Sequence, residues 1–304
     1  MSVFSLKEIN ERAQNVPLAF IKECEDRYRK TVKDITSDIC NEKGRVLVML
    51  AGPSSSGKTT TAELIRAEAE NLGRSAKVIS LDDFYRDQDV SYTFEDGTVD
   101  YETVKALDVE CICSCMHSLL DNGYGEIPRF SFITKRREGF EGLEIAEDEI
   151  IILEGLHALN PLITDPLCDE NMKKLYVSVS SRIADESGIL LSKRELRLIR
   201  RLIRDYNYRN SEVENTFYLW KGVRMGEDRY LFPYSDRADI KIDSIHPYEV
   251  CVFRKEAEKL LDSVAPDSIY YNAAKSLSDK IRRFNYIDTE YIPEKSLLKE
   301  FSGK

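Results

Sequence analysis

Leu47-Val48-Met49-Leu50-Ala51-Gly52-Pro53-Ser54-Ser55-Ser56-Gly57-Lys58-Thr59-Thr60 sets the architecture expected of this chain. Its apolar run reads as a buried strand, Gly52 and Gly57 bound a loop of small residues, and Lys58 opens a helix. A GxxxxGK[ST] loop in that setting turns successive backbone N–H groups inward around a phosphate, and the helix adds its unsatisfied N–H groups and positive dipole end. Lys58 is then placed to reach β- and γ-phosphates. The Thr59 hydroxyl is placed to ligate Mg²⁺, a hard cation usually held by few protein oxygens plus phosphate and water. Gly52, Ser54, Ser55, Ser56, Gly57, Lys58, Thr59 and Thr60 are the candidate phosphate-binding residues.

The surrounding composition narrows the setting. The 304-residue chain is 42% apolar, ample for the core of one large domain or two small ones. A net charge of -10 and a pI near 5.1 argue against nucleic acid or an anionic membrane as the main partner, so a phosphate site must be a local basic patch in an acidic protein. No apolar run approaches the length of a membrane span, and Met1 to Val16 lacks the apolar centre of a signal peptide, which makes the cytoplasm the expected compartment. Seven scattered cysteines, an odd count, fit reduced thiols. Cys111, Cys113, Cys115 and His117 alternate along a helical stretch, where residues two apart face different sides, so buried helix cysteines are expected there rather than zinc ligands.

Residues 1–44 read as a helical extension, with Leu6, Ile9, Val16, Phe20, Ile21, Tyr28, Val32 and Ile35 at near-helical spacing and Pro17 as an interruption. After the break at Asn41-Glu42-Lys43-Gly44, short apolar runs at 45–51, 76–81, 149–153, 174–179 and 239–242 alternate with helical stretches, the pattern of a parallel sheet covered on both faces. The first helix, Lys58 to Leu72, is expected to end in a left-handed cap at Gly73. Ligands in such sheets bind beyond the carboxyl ends of the strands, and two strand ends carry acids. Asp82 and Asp83 follow one run, where alternation leaves a single one of them facing the phosphates, and Glu154 follows another. An acid so placed can hold Mg²⁺ through water, so Asp82 and Glu154 join Thr59 as candidate metal residues.

Along Lys193 to Asp205, Arg194, Arg197, Arg201 and Arg204 are expected on one helical face and Leu198, Ile199, Leu202 and Ile203 on another. A solvated basic face is the bland alternative. In an acidic chain the stripe suits a lid whose guanidinium forks close over phosphate oxygens.

Together these motifs resemble the uridine kinase and phosphoribulokinase family of P-loop kinases over roughly residues 45–262. Ser80-Leu81-Asp82-Asp83-Phe84-Tyr85 is similar to the family's second-strand motif, in which the acid matching Asp82 is the base for the attacking hydroxyl. Asp100-Tyr101-Glu102, followed by Ala106-Leu107-Asp108, is similar to the segment that holds the acceptor's ribose. Pro128-Arg129-Phe130-Ser131-Phe132 with Arg137 resembles the hairpin over the nucleobase, and Arg200-Arg201-Leu202-Ile203-Arg204-Asp205 resembles the lid. Trp220 to Pro233, Ala238-Asp239, and Ile292-Pro293-Glu294-Lys295-Ser296 before Glu300-Phe301 look like a bacterial subgroup. There are departures. Glu102 stands where Asp is usual, Phe130 replaces Tyr, Lys135 replaces a pyrimidine-contacting His, and Ser211 replaces a common lid Arg, leaving Arg201, Arg204 and Arg209 as matches.

The resemblance implies a three-layer α/β P-loop fold with a mainly parallel five-stranded sheet, a small hairpin and a helical lid at about 190–212. The kinase core would be 45–264, between the helical extension and a helical tail at 265–304. The implied activity transfers the γ-phosphoryl of ATP or GTP, with Mg²⁺, to a hydroxyl of a small acceptor. That acceptor is expected to be a nucleoside at its 5′-hydroxyl, with a sugar phosphate as the alternative and a non-catalytic nucleotide-binding regulator as the reading from another class. Lys58, Asp82, Arg201 and Arg204 are the implied catalytic residues, and Tyr85, Glu102, Phe130, Lys135, Arg137 and Arg209 the implied acceptor contacts. Neither nucleic acid nor membrane is expected as a partner, and assembly into a homo-oligomer is left open.

Overall fold

In the computed structural model, which describes residues 2–87, 92–168 and 171–302, the chain opens with β1 (Val3–Ser5), α1 (Leu6–Asn15) and α2 (Pro17–Cys40). There follow β2 (Val46–Ala51), α3 (Lys58–Asn71), β3 (Ala76–Ser80), α4 (Val109–Asn122), the hairpin β4 (Tyr124–Ser131) and β5 (Arg136–Glu144), β6 (Ile150–Glu154), α5 (Pro161–Thr164) and β7 (Met172–Ser178). β8 (Arg182–Asp185) and β9 (Gly188–Leu191) lead to α6 (Lys193–Arg209), α7 (Val213–Tyr230), β10 (Ile240–Asp243), α8 (Glu249–Asp262) and α9 (Tyr271–Ile281).

The five apolar runs expected as strands form one parallel sheet in the order β10-β7-β2-β6-β3. Both faces of β2 are buried, and the two-residue period of a strand divides its side chains between two cores. Val46, Val48 and Leu50 join Ala62 and Ile65 of α3 and Phe253 of α8, whereas Leu47, Met49 and Ala51 join Ile112, Met116 and Leu119 of α4. The helices thus form the outer layers, and the carboxyl ends of the parallel strands lie at one edge, where such sheets bind ligands.

The segments flanking 45–264 share this interior. Phe20, Tyr28, Val32 and Ile39 of α2 and Leu297, Leu298 and Phe301 of the tail belong to the same core as Val46 and Val48. Pro17 occupies the first turn of α2, where a missing N–H costs nothing, so it starts that helix as well as dividing it from α1. A second sheet, β1-β8-β9, was not foreseen, because strands of three and four residues are too short to show a two-residue period. Gly73 takes the expected left-handed conformation at φ 86°. In α4, Cys115 is buried and Cys111 and Cys113 are half-buried, and among the described residues no His/Cys/Asp/Glu cluster is suited to hold a metal by itself. Among the described residues no helix is long and apolar enough to cross a membrane.

Within residues 190–212, α6 begins with a capping box in which Ser192 and Glu195 satisfy each other's backbone N–H groups. Its apolar side, Leu196, Ile199, Leu202 and Ile203, is buried in the core, which leaves its polar side to roof the strand ends.

Candidate active site

A cleft of about 760 Å³ opens over the carboxyl ends of β2, β3 and β6, a volume suited to a small-molecule site. Its floor is the loop 52–59. A Cβ at Gly52 would sit 2.2 Å from the carbonyl oxygen of Val177, so only glycine lets the chain leave β2 this close to β7. Ser55 and Gly57 take left-handed conformations at φ 57° and 86°. The Ser56 N–H donates to the Pro53 carbonyl (3.2 Å) and the Thr61 N–H to the Gly57 carbonyl (2.9 Å), closing the loop onto α3. The Ser55 and Ser56 hydroxyls are buried without a protein partner at the edge of the cleft, and Lys58 Nζ donates to the Pro53 carbonyl at 3.3 Å.

The arginines of α6 divide by partner, which corrects the single stripe expected from spacing. Arg197 forks onto Glu227 of α7 at 2.6 and 2.7 Å, and the same pair holds Ser54. Glu227 Oε1 accepts the Ser54 N–H (2.8 Å) while Arg197 donates to the Ser54 carbonyl (3.0 Å). Arg200, fully buried, forks onto Glu249 of α8 at 2.6 and 3.2 Å and donates to the carbonyls of Ser244 (2.8 Å) and Ser55 (3.4 Å). Arg194 turns outward to Asp228. A guanidinium enclosed by neighbouring helices needs a carboxylate to remain buried, so Arg197 and Arg200 serve the loop's backbone rather than a ligand.

Arg201 and Arg204 line the cleft with Arg209 from the last turn of α6. Arg201 donates to Ser54 Oγ at 2.9 Å. All three share the buried Asp205 carboxylate, at 3.1, 2.9 and 3.5 Å, which gathers three guanidinium groups with Lys58 in a cleft that Asp82, Glu102, Glu154 and Glu300 also line. Such a cluster of guanidinium forks is suited to phosphate oxygens.

Glu154 ends β6, where its Oε1 accepts from the Thr59 hydroxyl (3.2 Å) and the Ser80 hydroxyl (3.3 Å). Burial raises its pKa, while the charge of Lys58 opposes the rise. An oxygen-only set of one carboxylate and a Thr hydroxyl fits Mg²⁺, whose remaining ligands would be phosphate and water. Thr59 and Glu154 would hold it, and Mg²⁺ would neutralise charge on the phosphates. Of the two acids after β3, Asp82 lines the cleft, whereas Asp83 turns to the backbone of Phe130. The Asp82 carboxyl opens to the cleft, whose walls raise its pKa against the pull of Lys58 and Arg209, an environment that suits proton acceptance.

The opposite wall is Tyr85, Tyr101, Glu102, Phe132 and Ile133. Glu102 is held from behind. Its carbonyl accepts the Nε2–H of His157 (2.9 Å), a ring kept neutral by burial, with its pKa lowered to about 4. Tyr230 donates to the neighbouring Asp100 at 2.6 Å, and a Cβ at Gly226 would lie 2.4 Å from that of Glu102. Burial, reinforced by Glu227 and Asp82, pushes the Glu102 carboxyl up to about 7. The supporting roles of Gly226, Glu227 and Tyr230 carry no local signature beyond the Trp220 to Pro233 stretch, whereas His157 stands in the Glu154-Gly155-Leu156-His157-Ala158-Leu159 run that follows β6 and is similar to a motif of the family.

Three expected acceptor contacts do not reach the cleft wall. Phe130 lies behind it, 5.5 Å from the Tyr85 ring and 5.2 Å from the Phe132 ring. Lys135 takes φ 57° in the exposed hairpin turn. Arg137 is held by Asp108 (3.2 Å) and stacks over Phe140 (5.3 Å). A register shift between Arg129 and Phe130 re-aims the strand end, and Phe132 and Ile133 take the place at the wall.

Residues 47–250 match the Phosphoribulokinase / Uridine kinase family. A uridine kinase of Shewanella piezotolerans is 30% identical over 203 residues, which are 66% of this chain and 88% of the relative. A uridine kinase of Ureaplasma parvum is 25% identical over 203 residues, 66% of this chain and 89% of the relative. Among solved structures, a protein of Silicibacter sp. TM1040 provisionally named a fructose transport system kinase aligns with a TM-score of 0.50 at 19% identity, over 69% of this chain and 98% of that one, a likeness of fold alone.

Proposed function

This chain belongs to the phosphoribulokinase and uridine kinase family, and on that footing we propose that it transfers the γ-phosphoryl of ATP or GTP to the 5′-hydroxyl of a nucleoside. Lys58, the α6 arginines Arg201 and Arg204 and Mg²⁺ would balance the charge on the transferring phosphoryl, whose transition state is loose and needs positioning more than covalent chemistry. Asp82 would take the proton of the attacking hydroxyl.

One observation carries the choice of acceptor. The wall facing the loop joins a carboxylate, Glu102, to the rings of Tyr85 and Phe132, while the cations lining the cleft lie on the loop helix and α6. A carboxylate accepts sugar hydroxyls and aromatic rings cover a base, whereas a sugar phosphate needs cations there. The test is phosphorylation of uridine, cytidine, purine nucleosides and sugar phosphates by the purified protein with Mg²⁺ and ATP or GTP, with products identified by mass spectrometry. Turnover of a nucleoside at its 5′-position is expected. Turnover of a sugar phosphate alone would replace the nucleoside reading with the alternative.

A further inference from the structure

The tail beyond the family match, which ends at residue 250, reaches back into the cleft. Leu297 lies against Gly57, where a Cβ would meet its Cδ1 at 2.4 Å. Glu300 lines the cleft and accepts the Thr60 hydroxyl at 2.6 Å. This segment is part of the interior rather than a loose strap. Leu297, Leu298 and Phe301 are buried, with Phe301 at 6.5 Å from the Phe253 ring and 5.2 Å below the Arg200 guanidinium. Ser296 donates to Glu25 (2.6 Å), and Tyr208 donates to the Ser302 carbonyl (2.6 Å).

Glu300 is therefore a fixed carboxylate beside the phosphate loop, at Thr60. On the loop's pattern Lys58 would face the β- and γ-phosphates and Thr59 the metal, so Thr60, the next residue, would mark the nucleoside side of the donor. An ionised carboxylate only accepts hydrogen bonds, and phosphate oxygens have none to donate. The groups that every nucleotide offers it are the ribose hydroxyls. We propose that Glu300 is a specificity-determining residue of the donor site, accepting a hydrogen bond from the donor ribose, and that the C-terminal tail thereby completes a pocket the family-matched region leaves open.

Calorimetric titration of the full chain with ADP, 2′-deoxy-ADP, 3′-deoxy-ADP and GDP tests this. Wild type should bind ADP roughly ten- to a hundredfold more tightly than at least one deoxy analogue, the range expected of one hydrogen bond to a charged acceptor. Glu300→Ala should weaken ADP by a similar factor and erase the discrimination. Glu300→Gln, which keeps an acceptor oxygen and the side-chain volume, should fall between. Unchanged discrimination in Glu300→Ala would overturn the assignment. So would tighter ADP binding, which would make Glu300 a competitor of phosphate, or a change confined to the ADP to GDP ratio, which would place the contact on the base. A loss of binding in Glu300→Ala accompanied by a lowered unfolding temperature leaves Glu300→Gln to decide, and wild-type discrimination in that folded variant overturns it. Because binding is read with no acceptor present, failure here leaves the nucleoside reading standing, and failure of that reading leaves this one standing.

Discussion

On the phosphate side of the cleft, Ser54 and Ser55 are gripped by Arg197, Glu227 and Arg200, all of them buried. On the side we assign to the acceptor, Phe132 and Ile133 sit near the hairpin turn, 60% and 96% exposed. The contrast follows from what each wall must do. Charge at a transferring phosphoryl is met best by dipoles and cations that need not reorganise, which calls for a braced loop. A hairpin of exposed apolar groups gains by being covered, so an acceptor lying against it removes apolar surface from water.

Substitutions can sharpen or break this contrast. The largest effect on turnover is expected from Lys58→Ala, on the order of a hundred- to a thousandfold in kcat with thermal unfolding unchanged, as befits a charge at the reacting centre. Full turnover would end the assignment of the loop. Stability should respond most to the bracing. Glu227→Ala leaves Arg197 buried without its counter-charge and should cost about 3 to 5 kcal/mol in denaturant titration, whereas Arg194→Ala, which removes an exposed pair, should cost less than about 1 kcal/mol. Equal losses would mean that the loop is not braced from α6. Arg201→Ala and Arg204→Ala should each slow turnover roughly tenfold or more if each arginine, as proposed, makes a charge-assisted contact to phosphate.

A pH series separates the walls further. The Glu102 carboxyl titrates near 7 in the folded chain, above its ordinary value of 4.5, so it is ionised only as pH rises through about 7. If Glu102 holds sugar hydroxyls as a carboxylate, kcat/KM for the acceptor should fall as pH drops below about 7, with the KM of the donor much less affected. A raised pKa also favours the folded state below about 4.5 and loses that contribution as pH climbs through about 7, so Glu102→Gln should raise the unfolding temperature more at pH 8 than at pH 5. An acceptor profile flat from pH 5 to 8 would remove Glu102 from sugar binding. The smallest effect is expected from Lys135→His, less than about twofold in kcat/KM, because an exposed turn residue makes little difference to the wall. Phe132→Ala should raise the acceptor KM several-fold, and the reverse order of these two effects would return the acceptor role to Lys135.

Much of this was legible in the sequence by itself. The loop 52–59 works through its backbone, so its glycines, Lys58 and Thr59 reveal it in one short stretch, and the unbroken apolar run of Val46 to Ala51 announces a strand buried on both faces. Asp82 and Glu154 were readable because they follow such strands. The tertiary structure alone decided which of the α6 arginines line the cleft, since Arg197 and Arg200 look no different from Arg201 until Glu227 and Glu249 arrive from 30 and 49 residues away. It alone set Phe132 and Ile133 at the wall in place of Phe130 and Lys135, beyond a register shift opposite Gly139. It also brought Glu300 to Thr60 across 240 residues of chain. Periodicity and motif spacing report what the backbone does nearby, whereas burial and ion pairing depend on which distant segment fills the remaining space, and that is settled only when the whole chain packs.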